Sequence, residues 1–235
     1  MKILQVMQAM ARQCRLPVPS SITTNDDTVN ELLGYIEQAA QMIYDEYSWQ
    51  AVQKTGVLNV ANGDQSMPLP TDYDCILTSG IYDATTQHIV LPETPDEQWI
   101  RRIGTVAADE NQFRIQGRTI LFTVPWDSER SLFFTYKSKN YVVTQDAVGN
   151  ELYTDVFETD NDEFLLGDRL LISAAIMCRS VALMLDDAEA RKNAYENILD
   201  IHKNKDSALF QGNGVSSAGR ALTAQKILNY PGGSF

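Results

Sequence analysis

The chain has 235 residues, with Lys+Arg 19 against Asp+Glu 31 and a formal net charge of -12. That balance disfavours a non-specific nucleic-acid binder, because neutralising phosphates takes clustered Lys and Arg, and the longest basic pairs are Arg101-Arg102 and Arg191-Lys192. Hydrophobic content of 44% and charged content of 21% are those of a folded protein, long enough for one domain or for a core with a smaller lobe attached.

The first predicted element is a helix from Lys2 to about Arg15, with Ile3, Val6, Met7 and Met10 on one face. Pro17 and Pro19 end it. A second helix is predicted from Thr28 to Tyr47, with an apolar stripe of Leu32, Leu33, Ile36, Ala39, Ala40, Ile43 and Tyr47. Asp26, Asp27 and Glu31 sit near its positive end, where acidic groups are favoured.

From Trp49 the period changes. KTGVLNV alternates, ANGD is a turn signal, and SMPLPTDYDCI is a second extended piece kept from a sheet centre by Pro68 and Pro70. A short helix is expected at 94–103, with Thr94 as its cap, Pro95 at the first helical position and Glu97 closing a capping box. FRIQGRTILFTV reads as a tight hairpin about Gln116-Gly117, followed by the strand SLFFTYK. YVVTQDAVGNELYTDVF reads as another hairpin, turning at Gly149-Asn150.

Two long helices in a hairpin then span Asp162 to Gln211. EFLLGDRLLISAAIMCRSVALML is the most apolar run in the chain, and DDAEARKNAYENILDIHKNKDSALF is charged on one side and apolar on the other. The fold class expected is α+β: a helical bundle from residues 1–48 and 159–211, an inserted antiparallel β-lobe at 49–158, and an extended C-terminal arm at 212–235. That last segment is rich in Gly, Ser, Asn and Ala, has no acidic residue, and reads as a tail that orders on a partner.

Chemistry-bearing patterns are sparse. Cys14, Cys75 and Cys178 are far apart with no C-x-x-C spacing, which argues against a disulfide framework or a thiolate zinc site. His88 and His202 have no partner at metal-ligand spacing, and neither has a third residue to orient it in a Ser-His-Asp or Cys-His arrangement. No Walker loop, G-x-S-x-G or G-x-G-x-x-G is present, so the expectation is no enzyme activity, no cofactor and no metal.

The start of the chain lacks the apolar core of a signal peptide, and the run Leu170 to Cys178 is too short to span a bilayer; a protein made in the cytosol, with no membrane role, is expected. The acidic run Asp155, Glu158, Asp160, Asp162, Glu163 and Asp168 is read as helix N-terminal acids plus a solvated edge, against a functional reading as a divalent-cation site. DNDEFLLG lacks the glycine and terminal glutamate of a calcium loop. Tyr44, Tyr47, Trp49, Trp99, Trp126, Phe133, Phe134 and Tyr136 fall at core-like periods.

The order of these pieces resembles the head-to-tail adaptor (connector) proteins of tailed bacteriophages, in particular short-tailed phage adaptors and tail tubular A proteins. The residues that carry the resemblance span about 25 to 211. They are an acidic-capped helix ending in YDEYSWQ, the phrase MPLPTDYDCI, a FRIQGRTILF hairpin leading to Pro125, and the strand LFFTYK. Next comes an aspartate-rich approach, ETDNDEFLLGD, into an apolar helix with Ala174 and Ala175, and then a charged helix.

The resemblance implies a structural protein of the virion neck. Copies would form a homo-oligomeric ring of about twelve beneath the portal protein, with the helical bundle as ring wall and the β-lobe directed to the tail or periphery. The ring would extend the DNA channel and dock the next tail or nozzle protein, with DNA passing and no specific contact. The C-terminal segment would reach into the portal, with Arg220, Lys226, Ile227, Leu228, Tyr230 and Phe235 as the portal-binding arm. Asp155, Glu158, Asp160, Asp162 and Glu163 would form an acidic lumen or edge. The alternatives are a fibre or baseplate attachment protein, a carbohydrate-binding module using exposed Trp126 or Trp99, and an enzyme with a carboxylate-metal centre at Asp160 and Asp162.

Overall fold

The computed structural model describes residues 1–93, 96–105, 110–146 and 148–211. It is an α+β protein with antiparallel sheets, in two compact units. Among the described residues, one unit combines 1–52 with 139–211, and the other is the segment Gln53–Ser138.

In the first unit, α1 (Ile3–Gln13), α2 (Asp27–Glu46), α4 (Asp168–Ala182) and α5 (Ala188–Gln211) are the helices. Their faces follow the sequence stripes. Ile3, Val6, Met7 and Met10 of α1 are buried, as are Leu32, Ile36, Ala39, Ala40 and Ile43 of α2. α4 is the central helix: it packs against α1, α2 and α5, and Leu170, Leu171 and Ala174 to Cys178 are all buried. Ala174 and Ala175 have no exposed surface, which lets neighbouring helices approach closely. Among its described side chains α5 buries Tyr195 and Leu199 in this core, with Ile198 partly buried against it.

Local chemistry sets the ends of these helices. Asp26 caps α2 by accepting from the backbone N–H of Thr28 at 2.8 Å. At the other end the Trp49 indole N–H donates to the Ile43 carbonyl at 2.7 Å, satisfying one of the last-turn acceptors. α1 ends in a left-handed residue, Arg15, with the Leu16 N–H returning to the Ala11 carbonyl at 2.9 Å. α5 is held over the end of α2 by polar contacts: Asp206 accepts from the Gln50 backbone N–H, Tyr47 bonds Ser207 at 2.9 Å, and Lys203 pairs with Glu46 at 2.9 Å.

A small sheet completes this unit. β9 (Val142–Gln145) is central, with β10 (Glu151–Thr154) and β11 (Glu163–Phe164) on either side. The expected β-lobe boundary at 158 is therefore corrected to 138. The reason is packing: Tyr141, Val142, Phe157 and Phe164 are buried in the helical core, and Val142 pairs with Phe164. The long apolar run also does not begin as helix. Glu163 and Phe164 form β11, and Gly167 takes φ 112 before α4 starts.

The inserted unit contains a five-stranded antiparallel sheet. Its strands are β1 (Gln53–Val60), β3 (Tyr73–Ile76), β4 (Ile81–Asp83), β5 (His88–Val90) and β8 (Arg130–Ser138). β1 lies along the whole of β8, from Gln53 opposite Lys137 to Val60 opposite Arg130. β2 (Ser66–Pro68), β6 (Phe113–Gln116) and β7 (Thr119–Phe122) form a second sheet, with the expected β6–β7 hairpin closing between Gln116 and Thr119.

Leu58, Val60, Ile81, Ile120, Phe122, Leu132 and Phe134 form the core of this unit. α3 (Asp96–Arg102) is the short helix; its expected cap residues, Thr94 and Pro95, lie outside the described residues. Within the sheet, Lys54 Nζ at 2.6 Å, Tyr136 Oη at 2.9 Å and Ser138 Oγ at 2.8 Å all donate to the buried Asp72 carboxylate. The charge is thus paired and its lone pairs used, as burial requires.

Gly167 offers a direct test of the α4 start. Its φ of 112 disfavours any side chain, and an added Cβ would sit 2.8 Å from the His202 ring. Gly167→Ala should destabilise the protein by about 2 kcal/mol, read as a lowered midpoint in chemical denaturation.

Candidate functional site

The acidic segment between β10 and α4 is built mainly as a structural knot. Asp162 is fully buried; it accepts from the Glu158 N–H at 2.6 Å, the Thr159 N–H at 2.9 Å and the Thr159 hydroxyl at 2.6 Å. Burial by itself would raise this carboxyl. The hydrogen bonds from Thr159, Thr144 and Glu158 outweigh it and hold the group below the usual carboxylate value.

Asp160 accepts from the Ile22 N–H at 2.7 Å and Ser21 Oγ at 3.0 Å, pinning the loop between α1 and α2. The backbone of the same segment starts α1, with the Ile3 N–H donating to the Asp162 carbonyl at 2.7 Å. The expected lumen or edge role is thus corrected for Asp162, which is buried, and Asp160 is committed to internal bonds. Asp155, Glu158 and Glu163 remain exposed, Asp155 with Lys139 Nζ 3.5 Å away.

Other acids join Asp155 on this surface. Tyr141 is pushed up to about 12, first by burial and then by the charges of Asp155, Glu37 and Asp45. Its hydroxyl lies 3.4 Å from the Gln41 side chain of α2. The exposed face of α2, Glu37, Gln38, Gln41 and Asp45, has no basic residue of its own helix to offset it. Burial also raises the Glu37 carboxyl. Sequence reasoning missed Glu37 and Asp45 because nothing local links α2 to residue 155; Tyr141, just before β9, lies near all three.

The tip of the α4–α5 hairpin is the second feature. Val181, Leu183, Met184 and Leu185 are exposed, Met184 at 90%. The turn is a Schellman motif: the Leu185 N–H returns to the Ser180 carbonyl at 2.9 Å and the Met184 N–H to Val181 at 3.1 Å. Met184 occupies the left-handed position, φ 50, that glycine normally fills, at a cost of about 1 kcal/mol. Asp186, Asp187 and Glu189 follow it, all exposed. The signal was present in the sequence as an apolar triplet just before two aspartates, but the helix was expected to run through it.

Beside α4 and α5 lies a groove of about 610 Å³, lined by Ile172, Ile176, Ala194 and Ile198, with Arg169, Arg191 and His202 among its polar residues. His202 is lowered from its ordinary value, first by burial and then by repulsion from Lys205 and Arg169.

No protein-family model matches the chain, and no curated protein matches it. Trp99 and Trp126 are 7% and 3% exposed, so neither offers a face for sugar stacking, which removes the carbohydrate reading that required them. Among the described residues no group of His, Cys, Asp and Glu is placed to hold a metal, and no helix is long and apolar enough to cross a membrane. His88 is exposed on β5, and Cys14, Cys75 and Cys178 are free thiols. Arg220, Lys226, Ile227, Leu228, Tyr230 and Phe235 lie outside the described residues.

Replacing Asp162 with alanine should lower stability by about 3 kcal/mol near neutral pH, because buried donors lose a charged acceptor. Its folded carboxyl lies below the ordinary 3.8, so its contribution is present above that value and is lost as pH falls through the folded one. Denaturation midpoints of wild type and Asp162→Ala should therefore converge in acid.

Proposed function

We propose that the chain is a head-to-tail adaptor of a tailed bacteriophage: a structural, non-enzymatic virion protein that forms a ring beneath the portal and docks the next tail or nozzle protein. The observation that carries the reading is the chain order. A helical unit is assembled from both ends of the chain, and the β unit is a continuous insertion between Val52 and Lys139. This agrees with the resemblance in its order of cadences, from YDEYSWQ through FRIQGRTILF to the apolar helix with Ala174 and Ala175.

In this reading the helical unit builds the ring wall, the β unit serves the tail side, and residues 212–235 extend as the portal-binding arm. Glu37, Asp45 and Asp155 face the DNA channel, where a negative wall lets DNA slide without sticking. Neither cofactor nor metal takes part. The protein is made in the host cytoplasm and ends in the neck of the virion.

Mixing the purified protein with the portal ring of the same phage should give a discrete complex with equal numbers of adaptor and portal subunits by native mass spectrometry. Deleting 212–235 should abolish that complex while leaving the helical circular dichroism signal. Absence of binding between two folded partners would overturn the adaptor assignment in favour of fibre or baseplate attachment. Lysine at positions 37, 45 and 155 together should leave portal binding intact but make the complex retain DNA at low salt and release it as salt rises.

A further inference from the structure

The hairpin of β9 and β10 leaves the helical core and ends on open surface. Val142 at its base has no exposed surface, whereas Gln145 and residues 148–153 are all exposed. It carries apolar side chains there all the same: Val148 is 86% exposed, Leu152 51%, and Tyr153 and Val156 44% each. Leu152 stands opposite Thr144 and Tyr153 opposite Val143, so each face of the ribbon presents an apolar group. A two-stranded ribbon gains little from its own contacts, and apolar groups gathered on it mark a contact surface.

The charge of this segment has one sign. No Lys or Arg occurs from Asn140 to Asp168. Asp146 accepts from the Asn150 side-chain amide, the Asn150 N–H and the Val148 N–H, each at 2.8 Å, and these bonds hold its carboxyl below the usual value. Glu151 accepts from the Tyr153 hydroxyl at 3.1 Å. Neither acid has a basic partner among the described residues, whereas Asp155 has Lys139 at 3.5 Å. The outer edge of β10 is blunted, because the Asn140 side-chain amide donates to the Tyr153 carbonyl at 2.7 Å. Strand addition is thereby disfavoured, and contact falls to the side chains.

The chain itself holds a complementary segment. Residues 212–235 carry Arg220 and Lys226, no acidic residue, and the apolar Ile227, Leu228 and Tyr230. They begin close to the hairpin base. Lys203 of α5 pairs with Glu46 of α2 at 2.9 Å. The Tyr141 hydroxyl, at the foot of β9, lies 3.4 Å from Gln41, about 8 Å back along α2. The chain leaves α5 at Gln211, about two turns past Lys203, and 212–235 could span roughly 80 Å if extended. The hairpin is within reach. The α4–α5 groove is the poorer seat for a basic segment, because Arg169 and Arg191 line it.

We propose that 212–235 is stored on the β9–β10 hairpin of its own copy, its apolar side chains against Val148, Leu152 and Val156 and its cations toward Asp146 and Glu151. The contact deepens the arm reading above by naming what holds the arm before the portal is met, so that the portal must outcompete it. It rests on that reading for its purpose alone, since the contact is made within one free chain.

Trypsin cleaves after Arg220 and Lys226, and cleavage needs the segment released from its contacts, so the rate on the full chain reads the stored fraction. Cleavage at these two bonds should be at least about tenfold slower in the wild type than in a synthetic 212–235 peptide, and should speed up as salt rises. Val148→Ser/Leu152→Ser/Val156→Ser leaves the charge unchanged and should be cut at nearly the rate of the peptide. Glu151→Gln keeps the apolar side chains and should speed cleavage about threefold. Cleavage after Arg179, inside α4, should stay equally slow in every variant, which shows the fold intact.

Wild-type cleavage at the rate of the peptide overturns the contact and leaves the hairpin to another protein. Protection that persists in the triple variant overturns it too, by showing that the segment is held elsewhere. Protection that falls on dilution places the segment on a second copy and likewise overturns it. The digest contains no portal, so the arm reading is decided separately: protection without portal binding keeps the contact and removes its purpose.

Discussion

The burial of α4 is the constraint on which the first unit depends. Helix α4 cannot rest on one neighbour, because Leu170, Leu171 and Ala174 to Cys178 cover nearly its whole circumference. An apolar surface of that extent must be enclosed from several sides. Residues near the start of the chain supply α1 and α2, and the far side is closed by α5. A core that needs both ends of the chain leaves the middle free to form a separate unit, and Gln53–Ser138 does so with its own core of Leu58, Ile81, Phe122 and Phe134.

The polar knot at 158–163 follows from the same requirement. To bring α4 against α1 and α2, the chain must cross the end of the helical core as irregular backbone, which carries polar groups that cannot be left unpaired when buried. Asp162 satisfies the backbone of Glu158 and Thr159, Asp160 satisfies Ile22, and the Asp162 carbonyl accepts from the first turn of α1. Carboxylates are placed here for their acceptor capacity, not for solvent or metal. The same region holds Gly167 against the His202 ring, so the entry to α4 and the middle of α5 are fitted together by one missing side chain.

What was legible in the sequence depended on how local the deciding physics was. The α1 and α2 stripes were readable, because an amphipathic period of three and four residues states which face is buried wherever the partner comes from. The β6–β7 hairpin was readable from its turn. The start of α4 was not: EFLLGDRLL looks like continuous helix until a strand partner, Val143 opposite Glu163, claims the first two residues. β4 and β5, three residues each, were too short to leave a period and exist because β8 and their own pairing define them. The acidic cluster was visible as composition, but its division into buried Asp162 and exposed Asp155 was not, because the segment is held against residues distant in sequence, with Ile22 bonding Asp160 and Ile3 bonding the Asp162 carbonyl.

Stability is unevenly distributed along the α4–α5 hairpin. Helix α5 buries only Tyr195 and Leu199 among its described side chains, and its position over α2 rests on polar contacts at Asp206, Ser207 and Lys203. The exposed Lys203–Glu46 pair contributes little in isolation, since water and salt compete for it, whereas the bonds at Asp206 and Ser207 are partly buried. The hairpin turn is also locally strained: methionine holds a position that favours glycine, with exposed Leu183 and Leu185 beside it. Beside that turn Asp187 accepts from Arg191 Nε at 3.0 Å, so this acid is paired within its own hairpin.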